Sequence, residues 1–341
     1  MHASTTTPSL TCEIHGIGPI LPECGMRALE AFDFPGLGAL RVGEGGVTGI
    51  AETRDRKAVF VSRGGQTLAY LPSNVGIPSY YPLRPAPLPQ RVRAVLMDLD
   101  GTSVRSEGFW VYIIERVTAR LLGDEHFRFT DADLPYVSGF SVSEHLEYCL
   151  RTYCRGKDAT LEQARRYYFE LTEYEMAEIL AGRGRRDAFT PSPGLRDFLL
   201  KLKARGIKIG LVTSGLHQKA WPEIVSAFEV MDLGDPLQFY DSIVTAGFSI
   251  KAGQAGTLGE QQAKPHPWLY SEVLLPLGVP PEETLGIEDS SAGVVSIRLA
   301  GVAAVGVEEG NIRAGGTAPL CAAIKPGLAE IWDDILKVRC G

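Results

Sequence analysis

The sequence predicts an α/β protein: a doubly wound parallel sheet, with an α-helical segment inserted into it and a small β meander ahead of it. Three observations carry this expectation. First, β-prone apolar runs at residues 93–99, 207–213, 240–246, 284–288 and 302–307 alternate, over their last four members, with helix-like stretches at 218–229, 267–275 and 292–300. Alternation of this kind produces a parallel sheet with helices on both faces. Second, the gap between the first two strands is filled by helix-spaced apolar residues at 107–122, 143–153 and 161–181, for instance Leu161, Ala164, Tyr168 and Leu171. A segment this long between adjacent strands is a domain inserted above the strand ends, a cap, and Pro191, Pro193 and Gly194 mark its exit. Third, short β-prone runs at 39–42, 47–52, 58–62 and 67–71 are separated by turn-forming stretches such as Gly43-Glu44-Gly45-Gly46 and Arg63-Gly64-Gly65, which reads as an antiparallel meander. Its glycines serve turns, since no GxGxxG spacing follows a strand.

Boundaries follow from these elements. A chain of 341 residues exceeds one typical domain. Residues 1–77 form the N-terminal β-rich unit. Residues 78–90, with Pro78, Pro82, Pro85, Pro87 and Pro89, read as an extended linker, a stiff spacer in preference to a PxxP ligand. Residues 91–105 and 190–341 form the α/β core, and 106–189 the helical cap. The composition, 45% apolar and 22% charged, is that of a globular protein. A net charge of −7 disfavours nucleic acid or an anionic membrane surface as partner. Residues 1–10 lack the apolar centre of a signal peptide, and no apolar run reaches membrane-spanning length. Six cysteines without CxxC spacing read as reduced thiols, so a cytoplasmic location is expected.

The chemistry concentrates at strand ends. The run Ala94-Val95-Leu96-Met97 ends in Asp98-Leu99-Asp100-Gly101-Thr102. Residues i and i+2 of a strand share a face, so both carboxylates leave on the same side. Folding alone does not ask for two acids at the tip of a buried strand, whereas a metal ion or a two-acid reaction does. Ligands of doubly wound sheets bind at the carboxyl ends of the strands. Three further segments end in functional groups: Thr213-Ser214-Gly215 after an apolar strand, Lys264 before a helix, and Glu288-Asp289 after Leu285-Gly286-Ile287. Each has a plainer reading in isolation: a helix cap, a solvated cation, and acids favoured at a helix start. Four such ends along one sheet edge are not explained that way.

With these four segments the chain resembles the haloacid dehalogenase (HAD) superfamily over roughly residues 92–310, and its Glu-Asp-Ser form and cap position resemble the β-phosphoglucomutase, phosphonatase and phosphoglycolate phosphatase branch. The resemblance implies a Rossmann-like core and a Mg²⁺-dependent phosphatase. Asp98 is then the nucleophile that forms an aspartyl-phosphate, and Asp100 the acid and base for leaving oxygen and water. Mg²⁺ is held by Asp98, Asp100 through its backbone carbonyl, and Asp289, with Glu288 nearby. Thr213 and Lys264 complete the catalytic set. Phosphate oxygens fall to Leu99, Gly101, Thr102, Thr213, Ser214, Gly215 and Lys264. The acid at Asp100 argues against dehalogenation, because a halide leaves without a proton.

Within the branch the chain departs from its specialised members. Residues 137–143 carry no lysine for a phosphonatase Schiff base, and Val142 stands about there. The arginine and histidine of the sugar-phosphate mutase are met by Val142 and Trp110. Hydrolysis of a small, sugar-phosphate-like metabolite is therefore expected, with a mutase as one rival. The other rival is a binding module, with residues 36–72 as interaction surface on a vestigial core and open to a role in self-association. His217, Lys219 and His145 are candidates for substrate contact, against plain helix-start or packing roles. Trp110 reads as cap packing. Residues 249–263 read as a surface insertion in preference to a flap over the site.

Overall fold

The computed structural model describes residues 11–72, 78–137, 142–185, 188–246 and 263–340. The chain divides into two compact units: Met1–Ser103 with Pro193–His217 and Leu237–Gly341, and Val104–Ser192 with Gln218–Pro236.

The first unit opens with a five-stranded antiparallel sheet whose spatial order is its chain order: β1 (Arg27–Ala28), β2 (Val47–Glu52), β3 (Val59–Arg63), β4 (Gln66–Leu71) and β5 (Ser79–Leu83). Hairpins at Cys12–Ile14 with Gly18–Ile20 and at Ala31–Phe34 with Gly38–Arg41 accompany it. The meander pattern of residues 47–71 is present as β2, β3 and β4. One difference concerns residues 79–83, expected as part of a linker. They form β5, with Pro82 opposite Leu68. Proline is tolerated because β5 is an edge strand, where its missing N–H leaves no second ladder unpaired.

The same unit continues into a six-stranded parallel sheet: β6 (Ala94–Asp98), β7 (Lys208–Leu216), β8 (Ser242–Ala246), β9 (Thr284–Glu288), β10 (Ala303–Val307) and β11 (Cys321–Lys325). The spatial order is β8-β7-β6-β9-β10-β11. Every position of the central strands β6, β9 and β10 is buried, which is why their sequences read as mostly apolar runs, and the edge strand β8 is buried throughout as well. The strand β11 was not anticipated. It is a half-exposed edge strand whose Cys321-Ala322-Ala323-Ile324-Lys325 is short and built mainly of small residues with low strand preference. The order reverses at β6, where β7 and β9 lie on its two sides, and such a switch point places the strand ends around a crevice.

In chain order the α-helices of nine residues or more are α1 (Glu107–Leu122), α2 (Val142–Tyr153), α3 (Leu161–Leu180), α4 (Leu195–Ala204), α5 (His217–Met231), α6 (Trp268–Leu277) and α7 (Ser291–Leu299). In the second unit α1 buries Phe109, Ile113, Ile114 and Val117, and α3 buries Ala164, Tyr168, Met176 and Ile179. Thr160 caps α3 by accepting a hydrogen bond from the Gln163 N–H. Asp133 ties this unit together. Its carboxylate accepts from the Tyr148 hydroxyl at 2.6 Å, the Tyr153 hydroxyl, and both N–H and Oγ1 of Thr130 at 2.8 Å. Burial works to raise this carboxyl, and the hydrogen bonds together outweigh it, holding the group down at about 2.

The antiparallel and parallel sheets of the first unit share one apolar core. Ile14, Ile20, Phe60 and Leu71 belong to the same buried cluster as Leu269 and Tyr270 of α6 and Val294 and Ile297 of α7. No helix among the described residues is long and apolar enough to cross a membrane.

A shared core predicts shared stability. Truncating Phe60, fully buried in that cluster, to alanine should cost about 3–5 kcal/mol. In urea titrations followed by circular dichroism and tryptophan fluorescence, the β sheet and the α/β core should still lose structure in one coincident transition. An early, separate melt of the β sheet would contradict the shared core.

Candidate active site

The four strand-end segments converge at the C-terminal edge of β6, β7 and β9. Asp98 is the last residue of β6 and Glu288 the last of β9, and these strands are hydrogen-bonded neighbours. Oxygen atoms of Asp98, Glu288 and Asp289 lie within 4.8 Å of one another, a grouping that suits a metal ion. The Lys264 ammonium is buried among them. It donates to Asp98 Oδ1 and, at 2.6 Å, to Glu288 Oε1. Lys264 precedes a cis peptide to Pro265 in the loop leading to α6.

Local sequence explains how each group is held. The Glu288 Oε2 accepts from the Asp289 N–H at 3.0 Å, the Ser290 N–H at 2.8 Å and the Ser290 hydroxyl at 2.9 Å. Ser290 is also the N-cap of α7, its Oγ accepting from the Gly293 N–H. Thus one Glu288 oxygen is tied to the helix start and the other faces Lys264. Gly101 turns the chain out of β6 at φ +82°, and a Cβ there would lie 2.3 Å from Asp289 Oδ2. Only glycine admits both the backbone conformation and the approach.

Thr102 donates to Asp289 Oδ1 at 3.3 Å, and the Ser103 hydroxyl donates to the Asp98 carbonyl at 2.5 Å. Thr213, within β7, places its Oγ1 3.4 Å from Asp100 Oδ2 and accepts from the Gly215 N–H at 2.9 Å. Ser214 Oγ accepts from the Lys264 N–H at 3.2 Å. Leu99 is buried between the two aspartates. The structure thus brings Asp98, Gly101, Thr102, Lys264, Glu288 and Asp289 into one cluster, and Asp100, Thr213, Ser214 and Gly215 beside it. The Asp100 carboxylate lies with Thr213 and is not in the three-acid group.

Sequence reasoning had not included Tyr270. Its hydroxyl donates to Glu288 Oε1 at 3.3 Å, and the Lys264 ammonium lies 5.1 Å from its ring centroid. Tyr270 sits six residues beyond Lys264 inside α6, a polar-tipped aromatic with no partner visible in sequence. In the second unit Trp110 packs on Phe109 and Phe189, with the Lys219 ammonium 3.8 Å from its ring centroid. His145 is buried in that unit. Burial lowers the His217 imidazole. Residues 138–141 and 249–262, which carry the loop comparison and the insertion expected from sequence, lie outside the described residues.

Electrostatics set the character of the cluster. Burial would lower the Lys264 ammonium, but the Asp98 and Glu288 carboxylates overcome it, so the ammonium is held well above its ordinary value. Burial first, then the Glu288 carboxylate, raises the Asp98 carboxyl, with Lys264 opposing. The same two causes push Asp289 up to about 7. Once all three are ionised, the carboxylates around this one ammonium carry two negative charges more than it compensates. An all-oxygen donor set with that surplus fits a hard divalent cation.

The comparisons with known proteins point to one family. A family model described as haloacid dehalogenase-like hydrolase matches residues 92–301. The β-phosphoglucomutase of Bacillus subtilis is 25% identical over 232 residues, covering 64% of this chain and 85% of its own. A phosphorylated carbohydrates phosphatase of Thermotoga maritima is 26% identical over 211 residues, 62% of this chain and 82% of its own. Among solved structures, a HAD hydrolase of family IA, variant 3, from Entamoeba histolytica superimposes with a TM-score of 0.51 at 18% identity, covering 73% of this chain and 100% of that one.

The raised Asp289 carboxyl predicts a pH dependence. An unfolded aspartate titrates near 3.8 and the folded one at about 7. The metal-free folded state therefore holds a proton that the unfolded state releases. Stability present below the lower value is lost as pH rises through the higher one. With EDTA present, the melting temperature should fall between about pH 4 and about pH 7, and Asp289→Asn should flatten that slope. Affinity for a divalent cation, read by calorimetry, should rise over the same interval as the competing proton leaves.

Proposed function

The chain belongs to the haloacid dehalogenase-like hydrolases, and on that premise we propose that it is a Mg²⁺-dependent phosphatase acting on a small, sugar-phosphate-like metabolite through an aspartyl-phosphate on Asp98. The observation that carries this reading is the buried Lys264 ammonium held between Asp98 and Glu288, with Asp289 completing a three-acid group at the strand ends. Sugar phosphates are favoured because the relatives over most of their length are a β-phosphoglucomutase and a phosphorylated carbohydrates phosphatase.

In this reading Asp98, Asp289 and the Asp100 carbonyl would hold Mg²⁺, with Glu288 beside it. When bound, the ion offsets the repulsion between a carboxylate nucleophile and a phosphate ester. An Asp98 oxygen attacks phosphorus, the P–O ester bond breaks, and Asp100 gives its proton to the departing alkoxide. Asp100 then takes a proton from water, whose oxygen attacks the aspartyl-phosphate. Inorganic phosphate leaves and the Asp98 carboxylate returns. Lys264 neutralises a second face of the phosphoryl group. Thr213, with the backbone of Leu99, Gly101, Thr102, Ser214 and Gly215, binds its oxygens. We assign substrate choice to residues 106–189, and a cytoplasmic setting accords with six free thiols.

Inorganic phosphate release from sugar phosphates, phosphoglycolate, nucleotides and p-nitrophenyl phosphate tests the proposal. Turnover should need Mg²⁺ and stop with EDTA or with Asp98→Asn. Asp100→Asn should fall by about 10²–10⁴-fold on alkyl esters, and less on p-nitrophenyl phosphate, whose leaving group needs no proton. Conversion of a sugar phosphate with no phosphate released would replace the phosphatase by a mutase. Equal activity in all three proteins would overturn the assignment.

A further inference from the structure

We propose that the N-terminal β sheet is a positioning element of the active site, holding the Lys264 loop through Tyr81 and the acidic loop through Asp55; the catalytic meaning of these contacts rests on the function proposed above. The family match begins at residue 92, so both residues lie outside it.

The first contact comes from β5. The Tyr81 hydroxyl and His266 Nδ1 are 2.8 Å apart, and the Tyr81 ring meets the His266 and Trp268 rings edge to face. His266 is two residues from Lys264. Its carbonyl accepts from the Ser296 hydroxyl at 2.5 Å, so the loop is pinned on one side by the β sheet and on the other by α7.

The second contact comes from the turn between β2 and β3. Asp55 Oδ1 accepts from the Thr53 hydroxyl at 2.7 Å and the Lys57 N–H at 3.1 Å, which organises the turn. Its other oxygen, Oδ2, accepts from the Ser291 hydroxyl at 2.7 Å. Ser291 is the first residue of α7, two beyond Asp289, and its N–H donates to Asn311 Oδ1. The backbone packs as closely as the side chains do. Gly316 has φ +78°, and a Cβ on it would lie 2.3 Å from the Gly25 carbonyl oxygen and 2.9 Å from Arg54 N.

The helix is gripped at its far end too. Buried Arg298 donates from Nη2 to the carbonyls of Gly16 at 3.0 Å and Arg84 at 3.1 Å. Val294, Val295 and Ile297 lie in the core cluster that includes Ile14, Ile20 and Phe60. Start, middle and end of α7 are therefore set by the N-terminal segment, and α7 begins directly after the strand end that carries Glu288 and the Asp289 that follows it. Groups that orient ligating side chains commonly contribute tenfold or more to metal affinity.

The test uses the full chain with small deletions: Tyr81→Phe, Asp55→Ala, Ser291→Ala and the Asp55→Ala/Ser291→Ala double variant. Amide hydrogen exchange reads the two loops, and calorimetry reads Mg²⁺ binding. Tyr81→Phe should speed exchange in residues 264–268 and lower kcat, with the Mg²⁺ Kd unchanged. Asp55→Ala should speed exchange in residues 288–293 and raise the Mg²⁺ Kd by about tenfold. The double variant should be no worse than the worse single one, since both remove one bond. Folded variants with wild-type exchange at both loops would overturn the proposal. So would uniform loosening of the whole chain, the mark of a merely structural role. If exchange responds loop by loop while the wild type neither binds Mg²⁺ nor releases phosphate, the positioning stands and the phosphatase reading falls.

Discussion

A single buried ammonium among three carboxylates is the constraint around which the rest of the first unit is arranged. Moving charges out of water costs several kcal/mol per ion, and only close partners and full hydrogen bonding offset it. The chain meets that demand through backbone and side chains together. Asp98 and Glu288 end adjacent parallel strands, so strand pairing brings their carboxylates to one edge. Lys264 reaches both from a separate loop. The remaining Glu288 oxygen is absorbed by Asp289, Ser290 and the start of α7. Once ionised, the three acids carry two negative charges more than the ammonium offsets, a surplus that suits a divalent cation.

Precision at such a site depends on more than the groups that react. Gly101 matters, because any side chain there would strike Asp289. Tyr270 matters as well, fully buried with its hydroxyl on Glu288. The N-terminal sheet extends this principle outward. Its apolar face is not a free surface, since Ala51, Phe60, Ala69 and Leu71 share one buried cluster with residues of α6 and α7. An interaction module hung on a spacer would leave that face for a partner. The sheet instead forms one wall of the core behind the strand-end acids.

Much of this was legible in sequence because local rules and tertiary demands agree in the α/β core. The run at 284–288 forms β9 with those limits, and the helical pattern at 107–122 forms α1 with those limits. Buried parallel strands must be apolar throughout, and a helix packed on one side must repeat at its own period, so both announce themselves. The acids at 98 and 100 stood out because folding does not ask for two charges at the tip of a buried strand, and those at 288 and 289, which a helix start alone would explain, stood out by falling on the same sheet edge. Where burial is partial the signal fades. The edge strand β11 mixes cysteine, alanine and lysine, and β5 carries a proline that only an edge position excuses.

The sequence by itself determined the fold class, the alternation of the buried strands and helices of the core and most of the residues that meet at the strand ends, because hydrophobic periodicity and misplaced charge are local properties. Tertiary structure alone decided which of those groups touch. That Lys264 bridges Asp98 and Glu288, that Tyr270 backs them, and that Tyr81 and Asp55 reach across 185 and 236 residues to the Lys264 loop and α7 are products of packing. Contacts at such separations are set by the shape of a shared core, which no window of sequence contains.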